Sequence, residues 1–410
     1  MKIDSISARA IPDTRKRPTI ETTLTSGNLT ATASVPSGKS TGQHEACELR
    51  DADGGVSNAL ESVNIEIAKA VLERDFATLD ELDSFLIELD GTPNKSRLGA
   101  NAILSVSISA MRLLAFQENI PLWQAISRRA GTEPSAPRLF VNMINGGVHA
   151  GFKLPFQEYM LVVDGDTSVA FPIAQKAFSK LGELLPKLNF GSNYRSLTSV
   201  DNLPMGDEGG YAPTFDTLEK PFEILAELVK EFSDTFIAID AAASQLFHDG
   251  SYHILGKSYS TNELAETYAN LAGVFGVRSI EDPFDEHATD DFVRLTTAVN
   301  GRILVVGDDF TCTNPVLIAD AIQKKAVNAV LIKPNQIGTV METIKAVQET
   351  QAAGLKVIAS HRSGETDDTF IADFAYGVGA YGLKAGGLGQ KERMEKYDRL
   401  LAIEKETKKV

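Results

Sequence analysis

The sequence predicts an α/β protein in which a modified TIM-type (β/α)8 barrel follows a smaller α+β domain. The barrel is predicted by six short apolar runs, each of which stops at a polar residue. The runs are 236–239, 277–280, 303–306, 329–332, 357–359 and 381–383, and they precede Asp240, Glu281, Asp308, Lys333, His361 and Lys384. Spacings of 41, 27, 25, 28 and 23 between these polar residues leave room for helices. Parallel strands buried on both faces show such runs and need long crossovers.

The polar residues that end these runs are candidate functional residues. In a parallel barrel the carboxyl ends of the strands form one mouth, so the six side chains are expected to converge. A single polar residue at a strand end commonly marks only the point where the chain meets water. Three acids, two lysines and a histidine indicate more, because clustered buried charge is costly unless it holds a metal or a charged ligand.

The first 130 residues predict the smaller domain. A three-stranded antiparallel meander is indicated by alternating polar and apolar residues over 3–10, 19–25 and 29–35. Helical patterns follow over 56–74, 100–118 and 122–129. A further helix is expected after a capping box at Thr78 and Glu81. The glycine- and proline-rich stretch 131–137 is the candidate linker, so we expect domains at 1–130 and 137–410.

Three glycine-containing segments are candidate ligand contacts. Segment 36–45 departs from the phosphate-cradling G-x-x-x-x-G-K-[ST] spacing and is predicted to be a mobile loop. Glycine pairs stand beside His149 in 145–151 and beside Glu208 in 206–210. Such pairs let the backbone approach a ligand closely.

The composition excludes several classes of protein. A net charge of -15 opposes nucleic-acid binding. Cys47 and Cys312, the only cysteines, form neither a disulfide framework nor a zinc-like spacing. There is no leader-like apolar region and no uninterrupted run of about eighteen apolar residues. A cytoplasmic protein without nucleic-acid or membrane partners is therefore expected.

Eight segments form a pattern that extends over almost the whole chain. They are 34–45, 99–104, 145–147, 206–210, 280–284, 307–309, 335–339 and 360–366. The most specific is Ser360-His361-Arg362-Ser363-Gly364-Glu365-Thr366. Together they resemble the enolase family. The resemblance implies a hydro-lyase that reversibly dehydrates 2-phospho-D-glycerate, a small phosphorylated acid, to phosphoenolpyruvate in glycolysis and gluconeogenesis. It also implies a homodimer or a higher homo-oligomer.

The resemblance also implies a role for each matching residue. Asp240, Glu281 and Asp308 match ligands of a first magnesium ion, and Ser40 matches a ligand of a second. Lys333 matches the base that removes the C2 proton, so we expect its pKa to fall, and Glu208 matches the acid that protonates the leaving hydroxyl. The implied substrate-binding residues are His149, Gln157, Glu158, His361, Arg362, Ser363 and Lys384. Glu158 and Glu208 are expected to raise each other's pKa.

The chain departs from the family pattern in several places. The usual Ser-Arg-Gly-Asn-Pro-Thr is replaced over 14–19, and Gln245 replaces a glutamate after the first metal ligand. We expect neither change to contact a catalytic match. The segment 385–393 lacks a proline and an arginine of the family pattern, which predicts a less rigid loop beside Lys384.

Two alternative functions remain open from the sequence. A metal-dependent acid-sugar dehydratase or racemase would share the barrel and the metal carboxylates, although the phosphate-type pair Arg362 and Ser363 disfavours it. A non-catalytic scaffold could keep the fold while losing catalytic residues, yet Lys333 and the metal acids are all present.

Overall fold

A computed structural model of the chain describes residues 1–188 and 203–408. Near the amino terminus, three strands form an antiparallel sheet in the order β1-β2-β3. They are β1 Ser5–Pro12, β2 Pro18–Ser26 and β3 Leu29–Ser34. The meander that the alternating pattern predicts is therefore confirmed.

The helices that follow lie close to the predicted ranges. They are α1 Ser57–Glu61, α2 Ala68–Leu72, α3 Leu79–Asp90, α4 Ala100–Gln117 and α5 Leu122–Ala130, with a π-helical segment, Ser62–Ile67, between the first two. At the start of α3, Thr78 Oγ1 accepts from the Glu81 amide at 3.1 Å. The Glu81 carboxylate, however, accepts from the Ala77 amide at 2.7 Å. Only half of the predicted capping box is present.

Helix α4 is the only helix in the described ranges that is long and apolar enough to cross a membrane by length and composition. Most of its residues are buried inside the molecule, and it packs on β2 and β3. Ser105 Oγ and Thr22 Oγ1 form a hydrogen bond of 2.7 Å, and Ser109 Oγ donates to the Thr22 carbonyl at 2.9 Å. These contacts are those of a buried core helix. A core helix can be as long and as apolar as a membrane-spanning helix.

Eight strands close into a barrel in the rest of the chain, as the sequence predicts. Their order around the barrel is β4-β5-β6-β10-β11-β12-β13-β14. The barrel strands are β4 Arg138–Asn145, β5 Glu158–Val163, β6 Thr235–Asp240, β10 Val277–Glu281, β11 Leu304–Gly307, β12 Ala329–Ile332, β13 Lys356–Ser360 and β14 Gly382–Gly386. The surrounding helices are α6 Thr167–Leu184, α7 Lys220–Glu231, α8 Thr261–Phe275, α9 Thr289–Val299, α10 Pro315–Lys324, α11 Pro334–Ile337, α12 Val340–Ala352, α13 Phe370–Gly377 and α14 Lys391–Thr407.

Strand β5 runs antiparallel to both β4 and β6, which departs from the parallel pairing expected of the barrel. The connection 146–157 contains a short 3-10 turn, Gly147–Ala150, instead of a helical crossover, so the chain returns in the opposite direction. The register pairs Asn145 with Glu158, and Glu158 with Asp240. An antiparallel strand thus brings its first residue, Glu158, to the mouth where the parallel strands end.

A small sheet that periodicity did not predict lies between β6 and α8. It has the order β7-β8-β9 and consists of β7 Phe247–His248, β8 Ser251–Ile254 and β9 Lys257–Tyr259. Two turns with glycine at their second position connect these strands, and Gly250 and Gly256 both have a φ of 76°. The turn residues were the available signal, because aspartate–glycine is typical of a tight hairpin turn.

The amino-terminal helices contact the barrel at the first turn of α12. Ser107 Oγ accepts from the Val340 amide at 3.0 Å, and Asp83 Oδ2 accepts from the Met341 amide at 3.0 Å. The first amides of a helix lack partners within the helix, so side chains from α3 and α4 satisfy them. Asp83 is 1% exposed. Burial, opposed by the Met341 hydrogen bond, raises the pKa of Asp83 to about 7.

We expect Asp83→Asn to remove a pH dependence of stability. Because the folded pKa lies above that of the unfolded chain, the contribution of Asp83 to wild-type stability falls as the pH rises from about 4 to about 7. Between pH 5 and pH 8 the loss should reach about 2 kcal/mol. Urea denaturation of wild type and variant at both pH values measures it. The exposed Asp80→Asn on the same helix is the control, and an equal pH slope in Asp83→Asn and wild type would refute the assignment.

Candidate active site

Lys384 stands at the barrel mouth among buried carboxylates. Its Nζ lies 2.5 Å from Glu158 Oε2, 3.0 Å from Asp240 Oδ2 and 2.7 Å from Glu281 Oε2. Burial alone lowers the pKa of Lys384, but the surrounding carboxylates outweigh it and raise the pKa well above its usual value. Lys384 is thus an ammonium ion enclosed by an excess of negative charge. We call these four residues the lysine–carboxylate cluster.

The carboxylates of this cluster fit a divalent metal ion. One oxygen from each of Glu158, Asp240 and Glu281 lies within 4.8 Å of the others. Burial, and then repulsion from Asp240, raises the pKa of Glu281 well above its usual value, although Lys384 opposes the shift. The cluster therefore contains more negative charge than one lysine balances. Hard oxygen donors in this number suit magnesium or calcium.

Asp308 lies in a different group of acids from the one that the sequence implies. Glu158, and not Asp308, completes the group with Asp240 and Glu281, whereas Asp308 lies close to Asp282 and Asp309. Asp282 binds the local backbone, since its carboxylate accepts from the Asp308 amide at 2.9 Å and the Asp309 amide at 2.8 Å. The implied metal trio is therefore divided between two adjoining acid groups.

Lys333 follows β12 and forms an ion pair with Asp308. The expectation that its pKa falls is wrong for this structure. Burial alone lowers the pKa of Lys333, but the Asp308 carboxylate outweighs burial and raises it. The reason is that a neighbouring anion favours the ammonium form.

Glu208 and Glu158 form a buried pair of carboxyl groups with different protonation preferences. Burial and the nearby Glu158 charge raise the pKa of Glu208 to about 7. Burial also favours a raised pKa for Glu158, but Lys384 and then His361 outweigh it and lower the pKa. The sequence predicts that each of the two carboxylates raises the pKa of the other, but only the pKa of Glu208 is raised. Glu208 can carry a proton near neutral pH beside an ionised Glu158.

Two asparagines to which the sequence assigned no role hold this pair. Asn142 Nδ2 donates to Glu158 Oε1 at 2.6 Å, and Asn145 Nδ2 donates to Glu208 Oε2 at 3.1 Å. Both asparagines are fully buried on β4. Their positions three residues apart at the end of an apolar run were the available signal.

His149 lies beside Glu208, in the turn Gly147–Ala150. Its Nε2 is 3.4 Å from Glu208 Oε1, and its Nδ1 is 3.5 Å from Asp207 Oδ2. Asp207 also pairs with Lys39 of the segment 36–45 at 2.7 Å. The amino-terminal loop therefore contacts the segment that bears the candidate acid.

Gln157 and Ser40 occupy different parts of the mouth. Gln157 Nε2 donates to Asp240 Oδ2 at 3.1 Å, and Gln245 donates to Gln157 Oε1 at 3.2 Å. The substituted Gln245 therefore contacts a candidate substrate-binding residue. Ser40 lies near Arg362, whose Nη2 donates to the Ser40 carbonyl at 3.1 Å.

Arg362 and Ser363 face the amino-terminal loops. Arg362 forms a two-point ion pair with Glu45, with Nη1 to Oε2 at 2.9 Å and Nη2 to Oε1 at 3.1 Å. Arg15 Nη1 donates to Ser363 Oγ at 3.3 Å, and Thr14 Oγ1 donates to the Ser363 carbonyl at 3.2 Å. The altered segment 14–19 thus contacts the candidate phosphate site through Ser363. The sequence did not predict these contacts, because the contacting residues lie 348 and 349 positions apart in the chain.

Arg393 connects His361 to the altered loop after Lys384. It is fully buried, and its guanidinium hydrogen-bonds His361 Nδ1 and donates to the Ser363 carbonyl at 3.0 Å. Burial and Arg393 lower the pKa of His361 to about 3, so this imidazole is neutral at physiological pH. Gln390 accepts from Arg393 Nε at 2.7 Å and donates to the Asp207 carbonyl at 3.2 Å. Gln390 therefore links the loop to the site without the arginine of the family pattern.

Comparisons with known proteins show the family to which the chain belongs. The chain matches the family model for the enolase N-terminal domain over residues 3–126 and that for the enolase C-terminal TIM barrel domain over residues 134–410. It is 39% identical to an enolase of Ehrlichia ruminantium, over 99% of this chain and 96% of the relative. It is 41% identical to "Enolase 3" of Lactobacillus johnsonii, over 98% and 95%. A Legionella pneumophila enolase is 39% identical over 98% and 96%. The chain therefore belongs to the enolase family of lyases.

Proposed function

We propose that this enolase catalyses the reversible dehydration of 2-phospho-D-glycerate to phosphoenolpyruvate with Lys333 as base and Glu208 as acid. The observation that carries these assignments is the gathering at one barrel mouth of the buried Lys384, the partly buried Lys333 and a carboxyl pair in which Glu208 can hold a proton. Removal of a proton next to a carboxylate needs concentrated positive charge, and departure of a hydroxyl needs a proton donor. Both requirements are met by residues on the same face of the barrel.

The reaction follows from the assigned roles. Lys333 acts in its neutral form, so its ammonium group, which Asp308 favours, first releases a proton to solvent. The neutral amine then takes the proton from C2, and the electrons of that bond move toward the substrate carboxylate. Lys384 stabilises the added negative charge on that carboxylate. A divalent cation held by Asp240, Glu281 and Asp308, with Glu158 adjacent, supplies further positive charge when bound. Glu208 then gives its proton to the C3 hydroxyl, which leaves as water while the C2–C3 double bond forms.

The remaining candidate residues bind and orient the substrate in this proposal. Arg362 and Ser363 bind the phosphate, since a guanidinium can bond two phosphate oxygens. His149 and Gln157 lie beside Glu208 and Asp240, which they position. His361, neutral and hydrogen-bonded by Arg393, lines the same mouth. Ser40 would contribute to a second cation with the substrate phosphate.

We also propose the cation, the pathway, the location and the assembly that membership of the enolase family implies. The cation is Mg2+, two per site, and the enzyme works in glycolysis and gluconeogenesis in the cytoplasm. It assembles as a homodimer or a higher homo-oligomer without nucleic-acid or membrane partners. Residues 1–130 form the capping domain and residues 137–410 the catalytic domain, in line with the two family matches.

Ultraviolet absorbance of phosphoenolpyruvate tests the proposal directly. Purified protein is mixed with 2-phosphoglycerate, with magnesium or with a chelator. Magnesium-dependent product formation is the expected result. Activity on an unphosphorylated sugar acid in its place would favour the related dehydratases or racemases. A folded, magnesium-binding protein without either activity would favour the scaffold.

We expect Glu281→Gln to weaken metal binding by at least about tenfold, because even changes in the surroundings of a metal ligand cost that much. The neutral amide removes a charge from the lysine–carboxylate cluster while keeping its shape. Isothermal titration calorimetry of the metal-free protein with magnesium measures the affinity. Glu286→Gln, a change outside this cluster, is the control. Equal affinity in Glu281→Gln and wild type would remove Glu281 from the ligand set.

A further inference from the structure

Both terminal nitrogens of the Arg362 guanidinium are bound to oxygen atoms of the protein. In addition to its two bonds with Glu45, Nη1 donates to Asn335 Oδ1 at 3.1 Å and Nη2 donates to the Ser40 carbonyl at 3.1 Å. The side chains of Arg362 and Glu45 are only 3% and 9% exposed. A buried two-point pair of this type is strong and directional. The group proposed to bind substrate phosphate is thus already bound to a carboxylate of the protein.

Glu45 also fixes the segment 36–45 against the barrel. Its Oε1 accepts from the Gly42 amide at 3.2 Å and from Gln336 Nε2 at 3.3 Å. Nearby, Cys312 Sγ would lie 2.6 Å from a Cβ added at Gly42, so loop and barrel are in close contact. The position of the Glu45 carboxylate is therefore set from both sides.

We propose that Glu45 competes with the substrate's phosphate for Arg362 and thereby acts as a specificity-determining residue. This inference rests on the proposed function, in which Arg362 binds that phosphate. A phosphate cannot take the end-on, two-point position on Nη1 and Nη2 of Arg362 without displacing Glu45, because the Glu45 carboxylate already occupies that position. A phosphate group bears about −1.5 to −2 charges and can displace a singly charged carboxylate. An acid without phosphate offers Arg362 no more charge than Glu45 does, so it is disfavoured.

The test compares inorganic phosphate binding to wild type, Glu45→Gln and Glu48→Gln by calorimetry. Glutamine keeps the size of Glu45 but removes the charge that competes with phosphate. Glu48 pairs with Arg50 at 2.8 Å in the same part of the chain, so Glu48→Gln is a matched control. We expect Glu45→Gln to bind phosphate about tenfold more tightly, because phosphate no longer has to replace a charge-assisted hydrogen bond between Glu45 and Arg362. Glu48→Gln should bind it as wild type does.

Turnover measurements complete the test. In Glu45→Gln the KM for 2-phosphoglycerate should fall, and inhibition by unphosphorylated glycerate should strengthen. Circular dichroism establishes that the variant is folded. Unchanged or weaker phosphate binding in folded Glu45→Gln would overturn the competition, whatever the activity. Absence of enolase activity in wild type would instead overturn the proposed function, because phosphate binding is measured without turnover.

Discussion

Lys333→Ala is expected to lower kcat for 2-phosphoglycerate dehydration by about a thousandfold or more, as loss of a general base does. Lys333 follows β12, and its side chain is 12% exposed. Alanine keeps the backbone hydrogen bond from the Lys333 amide to Thr313 Oγ1 at 2.9 Å, so the barrel should remain intact. Phosphoenolpyruvate absorbance measures the rate. Magnesium affinity, measured separately, shows whether the cation site survives.

Exchange of the C2 proton with deuterated solvent distinguishes the base from other roles. A variant without the base should lose exchange and dehydration together. Lys324→Ala, which removes an exposed lysine paired with Asp320, is the control and should retain both. Wild-type exchange in folded Lys333→Ala would mean that another group removes the proton, and the ion pair with Asp308 would then be structural.

Glu208→Gln is expected to lower kcat by about a hundredfold to ten-thousandfold, the usual range for a general acid. Glutamine can keep the hydrogen bond with Asn145 through its amide oxygen, but it cannot supply a proton. Because the base remains, exchange of the C2 proton should persist in this variant. Loss of dehydration with retained exchange is therefore the expected signature, and mass spectrometry of recovered substrate measures it.

The exposed Asp216→Asn is a suitable control for Glu208→Gln, because Asp216 follows the same segment but lies at the surface. It should show wild-type rates for both steps. Parallel loss of exchange and dehydration in Glu208→Gln would contradict the division of roles. Glu208 would then act before proton removal, for example by orienting His149.

Much of the fold followed from sequence periodicity. Short apolar runs ending at Asp240, Glu281 and Lys333 predicted barrel strands, because strands buried on both faces have no polar face to interrupt the run. The alternating amino-terminal segments predicted the meander, because one of its faces is buried. Patterns of this kind involve residues that are close together in the chain, so they can be recognised without knowledge of the fold.

Glu208 and Ser40 were found differently. Neither follows an apolar run. Their glycine-containing segments were candidate ligand contacts, but only the resemblance to the enolase family gave the two residues their roles. The role of Glu158 also came from the resemblance, because this residue begins its strand instead of following one. Its place at the mouth depends on β5 running antiparallel, and no periodicity reveals strand direction.

The tertiary structure alone decided which charges meet. Lys384 lies among three carboxylates because barrel closure and strand register bring β5, β6, β10 and β14 together. The fold also places Asp308 beside Lys333, and this carboxylate raises the pKa of Lys333, which was expected to fall. Glu45 meets Arg362 although the two lie 317 positions apart. The sequence by itself determined the strands, the types of functional residue and the family, whereas pair distances and charge balance required the closed barrel, because electrostatic energies depend on separation and burial.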